Sequence, residues 1–135
     1  MTSVLIDSNV LLDVASADSV WRPWSDAALS RAADSGRLVI NPVVFAEVSV
    51  RYSTLEALEA ALPQTVFDRE ALPWEAAFLA GKAHLAYRRR GGARTSPLPD
   101  FFIGAHAAVA GYRLLTRDPA RYRTYFPDVA LIAPN

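Results

Sequence analysis

The chain of 135 residues carries 14 Lys and Arg residues against 14 Asp and Glu residues, so its formal net charge is zero. It contains no cysteine, which excludes a disulfide scaffold, a zinc–thiolate centre, an iron–sulfur cluster and a thiol nucleophile. The balanced charge argues against a protein that binds polyanions through bulk positive charge. The length predicts a single domain over residues 1–135 that can fold around its own core.

The sequence shows no targeting or membrane signal. The N-terminal segment is apolar, but it has no basic region before it and Asp7 interrupts it. No apolar run approaches the ~20 residues that a membrane helix needs. We therefore expect a soluble, cytoplasmic protein with no membrane partner.

Apolar runs and capping signals predict strands that alternate with helices. The predicted strands span residues 3–6, 38–40, 65–67, 113–116 and 129–132. The predicted helices span residues 10–14 (with start signals at Ser8 and Asn9), 21–36, 42–52 (capped by Asn41), 54–62, 74–90, 100–110 and 120–125. This alternation predicts an α/β sandwich around a mostly parallel sheet.

Three acids fall at the boundaries of these elements. Asp7 directly follows the first strand, Asp118 follows the apolar strand that contains Leu114 and Leu115, and Asp100 opens a helix. In open α/β sheets, ligands bind outside the carboxyl ends of the strands. Asp7 and Asp118 should therefore share one edge if their strands are parallel neighbours, and Asp100 can point toward the same rim.

A fourth acid, Glu47, lies within an otherwise apolar helical segment, where a lone carboxylate is costly to bury. Four carboxylates at one end of a sheet repel one another unless a cation neutralises them. Ligation by oxygen alone suits Mg²⁺ or Mn²⁺ and does not suit zinc.

Each acid also has an ordinary structural explanation. Asp7 and Asp118 could form turns, and Asp100 could cap its helix. Glu47 could face water or pair with Arg51 one helical turn later.

The acids and their flanking residues resemble those of the PIN-domain ribonucleases. The resemblance is carried by Asp7-Ser8-Asn9 after a strand, by Glu47 in a helix after Asn41-Pro42, by the segment from Asp100 to Ala107 and by the segment from Leu115 to Asp118. Length and order resemble the VapC toxins of bacterial toxin–antitoxin pairs. The resemblance covers essentially the whole chain.

This resemblance implies a three-layer α/β/α fold and an endoribonuclease that uses Mg²⁺ or Mn²⁺. It implies Asp7, Glu47, Asp100 and Asp118 as catalytic and metal-binding acids, supported by Asn9 and Thr116. It also implies a VapB-like antitoxin partner, a homodimer, a tRNA or rRNA substrate, and contact with DNA only through the antitoxin. We expect Asp7 and Asp118 to be direct ligands, with one or two metal ions activating a water for phosphodiester hydrolysis.

Residues 76–99 contain five basic residues and no acid. Four of them, Arg88, Arg89, Arg90 and Arg94, lie where the long helix ends and the chain approaches Asp100. They could complement the carboxyl end of the helix, or they could grip RNA phosphates beside the acids. The segment from Arg121 to Pro127 mixes Arg with aromatic residues; we expect a helical turn that closes the sheet edge more than an RNA-stacking surface.

The remaining notable residues suggest structural roles. We expect His106 and His84 to be packed or hydrogen-bonded, and Trp21, Trp24 and Trp74 to anchor the core or an interface.

Two other functions remain open at this stage. A phosphatase or phospho-receiver domain also places carboxylates at a sheet edge, but no Lys follows Leu115 and Asn9 stands where a phosphatase has its second Asp. A non-catalytic PIN-fold binding module is the other alternative, although the acid set is complete.

Overall fold

The computed structural model describes residues 2–135 and is built from alternating strands and helices. The strands are β1 (Thr2–Ile6), β2 (Gly36–Ile40), β3 (Phe67–Arg69), β4 (Arg113–Leu115) and β5 (Leu131–Ile132). The helices are α1 (Ser8–Val14), α2 (Arg22–Ser35), α3 (Pro42–Ser49), α4 (Leu55–Ala61), α5 (Trp74–Arg89), α6 (Pro99–Ala110) and α7 (Ala120–Tyr125).

All five strands of the described chain form one parallel sheet in the order β3-β2-β1-β4-β5. Val4, Leu5 and Ile6 of β1 are fully buried although alternate residues of a strand point to opposite faces. Both faces of the sheet are therefore covered by helices, as parallel sheets require. The result confirms the three-layer α/β/α sandwich, and the sheet is parallel throughout where the sequence predicted it to be mostly so.

The strand order creates one place where a site can form. The chain runs outward from β1 through β2 to β3, then crosses to the other side of β1 to form β4. The carboxyl ends of β1 and β4 therefore border a topological switch point, where ligands bind in open α/β sheets. The register pairs Ile6 with Leu115, so the residues that follow them, Asp7 and Thr116, are neighbours.

Capping residues explain where the helices near this edge begin. Asp7 caps α1 because its Oδ1 accepts a hydrogen bond from the amide of Ser8, so the helix starts two residues earlier than predicted. Asn41 caps α3 as predicted, accepting from the amide of Val44. Helix α6 begins after Leu98 without a side-chain cap. The alternative reading of Asp100 as a helix cap is therefore wrong.

Two predicted strands are shifted. The chain forms a turn after Pro63, whose carbonyl accepts from the amides of both Val66 and Phe67, and β3 therefore covers Phe67–Arg69 instead of 65–67. The amide of Val129 bonds to the carbonyl of Phe126, so β5 starts only at Leu131. In both cases a local turn uses backbone amides of the predicted strand for its own hydrogen bonds, so the strand begins later in the chain.

The tryptophans contribute little to the core. Trp74 is 89% exposed and Trp21 is 37% exposed, whereas Trp24 packs against the core. A core role for Trp74 is therefore wrong, and an interface role stays a prediction. Within residues 2–135, no helix is long and apolar enough to cross a bilayer.

Candidate active site

Asp7 lies at the centre of the predicted site, at the switch point between β1 and β4. Its backbone amide donates to the carbonyl of Leu115 over 2.9 Å, and its side chain is buried. Oδ2 accepts hydrogen bonds from the Thr116 hydroxyl (2.9 Å), the Tyr122 hydroxyl (2.9 Å) and the Asn9 amide group (3.3 Å). Three donors on one oxygen fix the orientation of this carboxylate.

The pKa of Asp7 is raised to about 6. Burial is the largest cause, followed by the negative charge of Asp100 and, more weakly, that of Glu47. The hydrogen bonds from Thr116 and Tyr122 act in the opposite direction because they stabilise the ionised form. Within residues 2–135, Asp7 is thus a carboxylate whose charge has no cationic partner of its own.

Glu47 projects toward the same edge from α3. Its Oε1 accepts a 2.8 Å hydrogen bond from the Ser8 hydroxyl. Burial raises its pKa, and the charge of Asp100 adds to the rise, while the bond from Ser8 lowers it. Arg51 donates instead to the carbonyl of Ala15, so the alternative pairing of Glu47 with Arg51 is wrong.

Asp100 lies in the first turn of α6 and contacts two residues of α7. Its Oδ2 accepts from Arg121 over 3.1 Å, and its Oδ1 lies 3.4 Å from the Tyr122 hydroxyl. The Arg121 and Asp100 side chains are 43% and 31% exposed. Such a solvent-screened pair contributes only about 0.2–1 kcal/mol, so Arg121 can leave Asp100 at small cost.

Asp118 lies farther out than the other three acids. It is exposed, and its backbone amide donates to the Thr116 hydroxyl over 3.1 Å. Within the described chain, its carboxylate makes no hydrogen bond or ion pair. Asp118 and Asp100 line one cavity at the rim. The structure therefore brings Asp7, Glu47 and Asp100 into electrostatic contact and places Asp118 at the entrance.

The two predicted supporting residues frame Asp7 and the loop after β4. The Asn9 amide group donates to Thr116 Oγ1 over 3.2 Å as well as to Asp7, and its Oδ1 accepts from the amide of Arg117. The Arg117 side chain in turn pairs at 2.7 Å with the buried Asp13. These bonds hold the loop that carries Asp118 against α1.

The four arginines of the basic segment have different surroundings, although all are exposed. Arg88 donates to the carbonyls of Gly92 and Arg94, which closes the loop after α5. The guanidinium of Arg90 lies over the Tyr125 ring, 5.5 Å from its centroid. Of the four, only Arg90 lines the cavity that contains Asp100 and Asp118.

Sequence reasoning missed two residues of the site, Arg121 and Tyr122. Both lie in the short helix α7, where we expected a helical turn that closes the sheet edge more than an RNA-stacking surface, and where no contact with the acids was predicted. Tyr122 is almost fully buried, and its hydroxyl reaches two of the predicted acids. The available signal was an aromatic residue with a polar end four residues after Asp118, which needs a buried partner for its hydroxyl.

His106 is buried as expected and lies outside the acid cluster. Its Nδ1 lies 3.0 Å from the amide nitrogen of Asn41, whose oxygen already accepts from Val44. Asn41 therefore donates, and the ring carries its proton on Nε2, 3.5 Å from Glu70. Burial lowers the pKa of His106. This bond links α6, which carries Asp100, to the start of α3, which carries Glu47.

The donor set of the site agrees with Mg²⁺ or Mn²⁺ in its chemistry, because every candidate ligand is a carboxylate oxygen. The mutual repulsion that raises the pKa values of Asp7 and Glu47 is the effect that a cation relieves. No three Asp, Glu, His or Cys side chains within residues 2–135 stand close enough to hold one ion. Asp7, Glu47, Asp100 and Asp118 are the residues that would hold such an ion, and Asp100 is paired with Arg121 in its absence.

The family assignment follows from the sequence match. The model of the PIN domain family matches residues 4–127, which is nearly the whole chain. The chain belongs to the PIN domain family. No curated protein gives a significant sequence match.

Solved structures with the same fold come from several bacteria. A structure of VapBC2 from Rickettsia felis, bound to a promoter DNA fragment, aligns with 14% identity and a TM-score of 0.74 over 99% of this chain and 100% of its own. A toxin–antitoxin complex from Klebsiella pneumoniae aligns with 20% identity and a TM-score of 0.65 over 98% of both chains. VapC20 of Mycobacterium tuberculosis, described as a sarcin–ricin loop cleaving toxin, aligns with 16% identity and a TM-score of 0.61 over 90% of this chain and 94% of its own. At these identities the likeness establishes the fold.

Proposed function

We propose that this protein is a metal-dependent endoribonuclease and the toxin of a toxin–antitoxin pair. The observation that carries the proposal is the cluster of Asp7, Glu47 and Asp100 at the carboxyl edge of a PIN-domain sheet, where burial and, after it, the charge of Asp100 raise the pKa values of Asp7 and Glu47. A cluster of carboxylates with this energetic cost is typical of a functional site.

Asp7, Glu47, Asp100 and Asp118 are the residues that would hold Mg²⁺ or Mn²⁺. When bound, the ion supplies an activated water and charge stabilisation at the phosphate. Thr116, Tyr122 and Asn9 orient Asp7 by donating to its Oδ2. Ser8 orients Glu47 in the same way. These donors stabilise the ionised carboxylates, so they oppose the rise in pKa that burial and the neighbouring charges cause.

The proposed biological setting is a cytoplasmic complex with a VapB-like antitoxin. Support comes from the fold, which this chain shares with chains of VapBC2 and of the Klebsiella pneumoniae toxin–antitoxin complex. We propose a homodimer as the form that the antitoxin inhibits, and contact with DNA only through the antitoxin. The proposed substrate is a structured cellular RNA such as rRNA or tRNA, in line with the neighbour described as a sarcin–ricin loop cleaving toxin.

The test is cleavage of total tRNA and rRNA by purified protein with Mg²⁺ or Mn²⁺, with and without EDTA. We expect cleavage that needs metal and that is lost in Asp7→Asn, because the amide cannot bind a cation as a carboxylate does. Asp128→Asn, which changes an exposed acid that is none of the four predicted ligands and does not line the cavity of Asp100 and Asp118, is the control and should cleave like the wild type. Equal activity of Asp7→Asn and Asp128→Asn would contradict the proposal. RNA binding without any cleavage would favour the non-catalytic binding module.

A further inference from the structure

A cavity of about 420 Å³ opens beside the acid cluster, on its outer side. Asp100 and Asp118 form one part of its wall. The remaining wall includes two cations, Arg90 and Arg121, and two aromatic residues, Tyr87 and Tyr125. This volume lies within the roughly 300–1,000 Å³ of pockets that hold small ligands or a single group of a larger one.

The aromatic part of this wall is held rigidly. The Tyr125 ring packs edge-on against the buried Phe101 with 5.1 Å between ring centroids, and Tyr87 packs edge-on against the same ring at 5.7 Å. Arg90 lies over Tyr125. Unpaired RNA bases stack on aromatic rings and on guanidinium planes. Arg90 and Tyr125 thus form a stacking platform in which the guanidinium lies over the ring in the absence of a ligand.

The charged part of the wall suits a phosphate. Among the described residues, Arg121 pairs only with Asp100, in an exposed contact, and Asp100 is an acid that the proposed function assigns to the metal. A planar guanidinium can bind a phosphate through two parallel hydrogen bonds. An RNA strand that enters the cavity can therefore take Arg121 from Asp100 while it places its adjacent phosphodiester at the acids.

We propose that this cavity is the subsite for one unpaired ribonucleotide next to the bond that is cut. The base stacks on the platform of Arg90 and Tyr125, and its phosphate pairs with Arg121. The proposal rests on the proposed function and adds the conformation of the substrate, because a cavity of this size admits a single splayed base and excludes a duplex. The proposal also assigns different roles to two neighbouring arginines. Arg90 contacts the base, whereas Arg88 closes the loop after α5.

The experiment measures binding of a short fluorescein-labelled single-stranded RNA by anisotropy, in an Asp7→Asn background that does not cleave. Arg90→Ala is compared with Arg89→Ala, the preceding arginine, which removes the same charge without lining the cavity. Loss of one stacked base, about 1–3 kcal/mol, corresponds to about 5- to 150-fold weaker binding. We expect that loss for Arg90→Ala and only a small loss for Arg89→Ala. The salt dependence should fall equally in the two variants, since each removes one cation.

Further arms test the nature of the ligand. Arg90→Lys keeps the charge and loses the plane, so it should bind nearly as weakly as Arg90→Ala. The same sequence as a duplex should show no difference between Arg90→Ala and Arg89→Ala. Equal single-strand affinities for these two variants, or the same difference on a duplex, would overturn the subsite. Failure of the wild type to cleave any RNA would instead count against the proposed function, because the binding comparison uses protein that does not cleave.

Discussion

Tyr122 donates a 2.9 Å hydrogen bond to Asp7 Oδ2, although the two residues are 115 positions apart in the chain. The same hydroxyl lies 3.4 Å from Asp100 Oδ1, so one phenol stands between two acids that repel each other. Burial and the charge of Asp7 raise the pKa of Tyr122 well above its usual value. The phenol therefore stays protonated and donates over the whole physiological pH range.

Removing this hydroxyl should shift the titration of Asp7. In Tyr122→Phe, Asp7 loses a donor that lowers its pKa, so the pKa should rise further above 6. We expect the acidic limb of the pH–activity profile to move up by roughly 0.5–1 unit, and stability to fall by about 1–3 kcal/mol because a buried hydrogen bond is lost. Tyr52→Phe is the control, since Tyr52 lies outside the acid cluster. An unchanged limb in Tyr122→Phe would show that the hydroxyl does not tune Asp7.

Asp7 should make the metal-free protein less stable as the pH rises. Its folded-state pKa, about 6, lies above its unfolded value near 3.8, so the native state binds the proton more tightly. Stability from this group is full below pH 3.8 and is lost as the pH rises through about 6, for a total of about 3 kcal/mol. Asp7→Asn lacks this titration and should gain stability relative to the wild type between pH 4.5 and pH 8. Urea unfolding in EDTA at several pH values measures the free energy of unfolding of both proteins. A difference between them that does not change with pH would refute the prediction.

Divalent metal should stabilise the wild type and should do so in competition with protons. At pH 7.5, saturating Mn²⁺ is expected to raise Tm by roughly 3–8 °C. At pH 5.5 the rise should be much smaller because a proton competes with the metal for Asp7. Asp7→Asn should lose the rise at both pH values, and Asp128→Asn should keep it. A rise of equal size in Asp7→Asn would place the metal elsewhere.

Arg121 should compete with metal for Asp100. Removing this guanidinium frees the carboxylate from a pair that contributes about 0.2–1 kcal/mol, so Arg121→Ala should bind Mn²⁺ up to about fivefold more tightly. Arg123→Ala is the matched control because Arg123 is an exposed arginine in the same helix, α7. Calorimetric titration gives both affinities. Equal tightening in the two variants would mean that general charge, and not the contact with Asp100, controls the affinity.

Much of the fold could be predicted from the sequence because its signals are local. Pro42 after Asn41 marks the start of α3, and Gly111, with φ of +71°, ends α6 in the left-handed conformation. Boundaries were misplaced where turns after Pro63 and Phe126 competed with strand pairing. Such competition depends on which partner strand is in reach, and that is a property of the folded sheet.

The sequence predicted the acids of the candidate site and two residues beside Asp7, Asn9 and Thr116, but not the arrangement of the whole set. Asp7, Glu47, Asp100 and Asp118 were predicted as site acids from where they fall relative to strands and helices and from the resemblance to PIN-domain ribonucleases. The distances between these acids were not predicted. Asp118 lies exposed at the rim, whereas Glu47 lies close enough to Asp7 for its charge to raise the pKa of Asp7. The packing of α7 against α6 brings Tyr122 and Arg121 to the acids, and no spacing in the chain encodes that contact.

The sequence by itself determined the alternation of strands and helices, the lack of thiol chemistry and the position of an acid directly after β1. These properties follow from residue types and short-range periodicity. Tertiary structure alone decided that Asp7 and Thr116 are neighbours, because the register of β1 on β4 pairs Ile6 with Leu115. It also decided how the zero net charge is distributed. Arg121 pairs with Asp100, Arg90 lines the cavity, and Asp7 is buried with no cationic partner among residues 2–135. These placements depend on how the helices pack on the sheet, which residue types and short-range spacing do not specify.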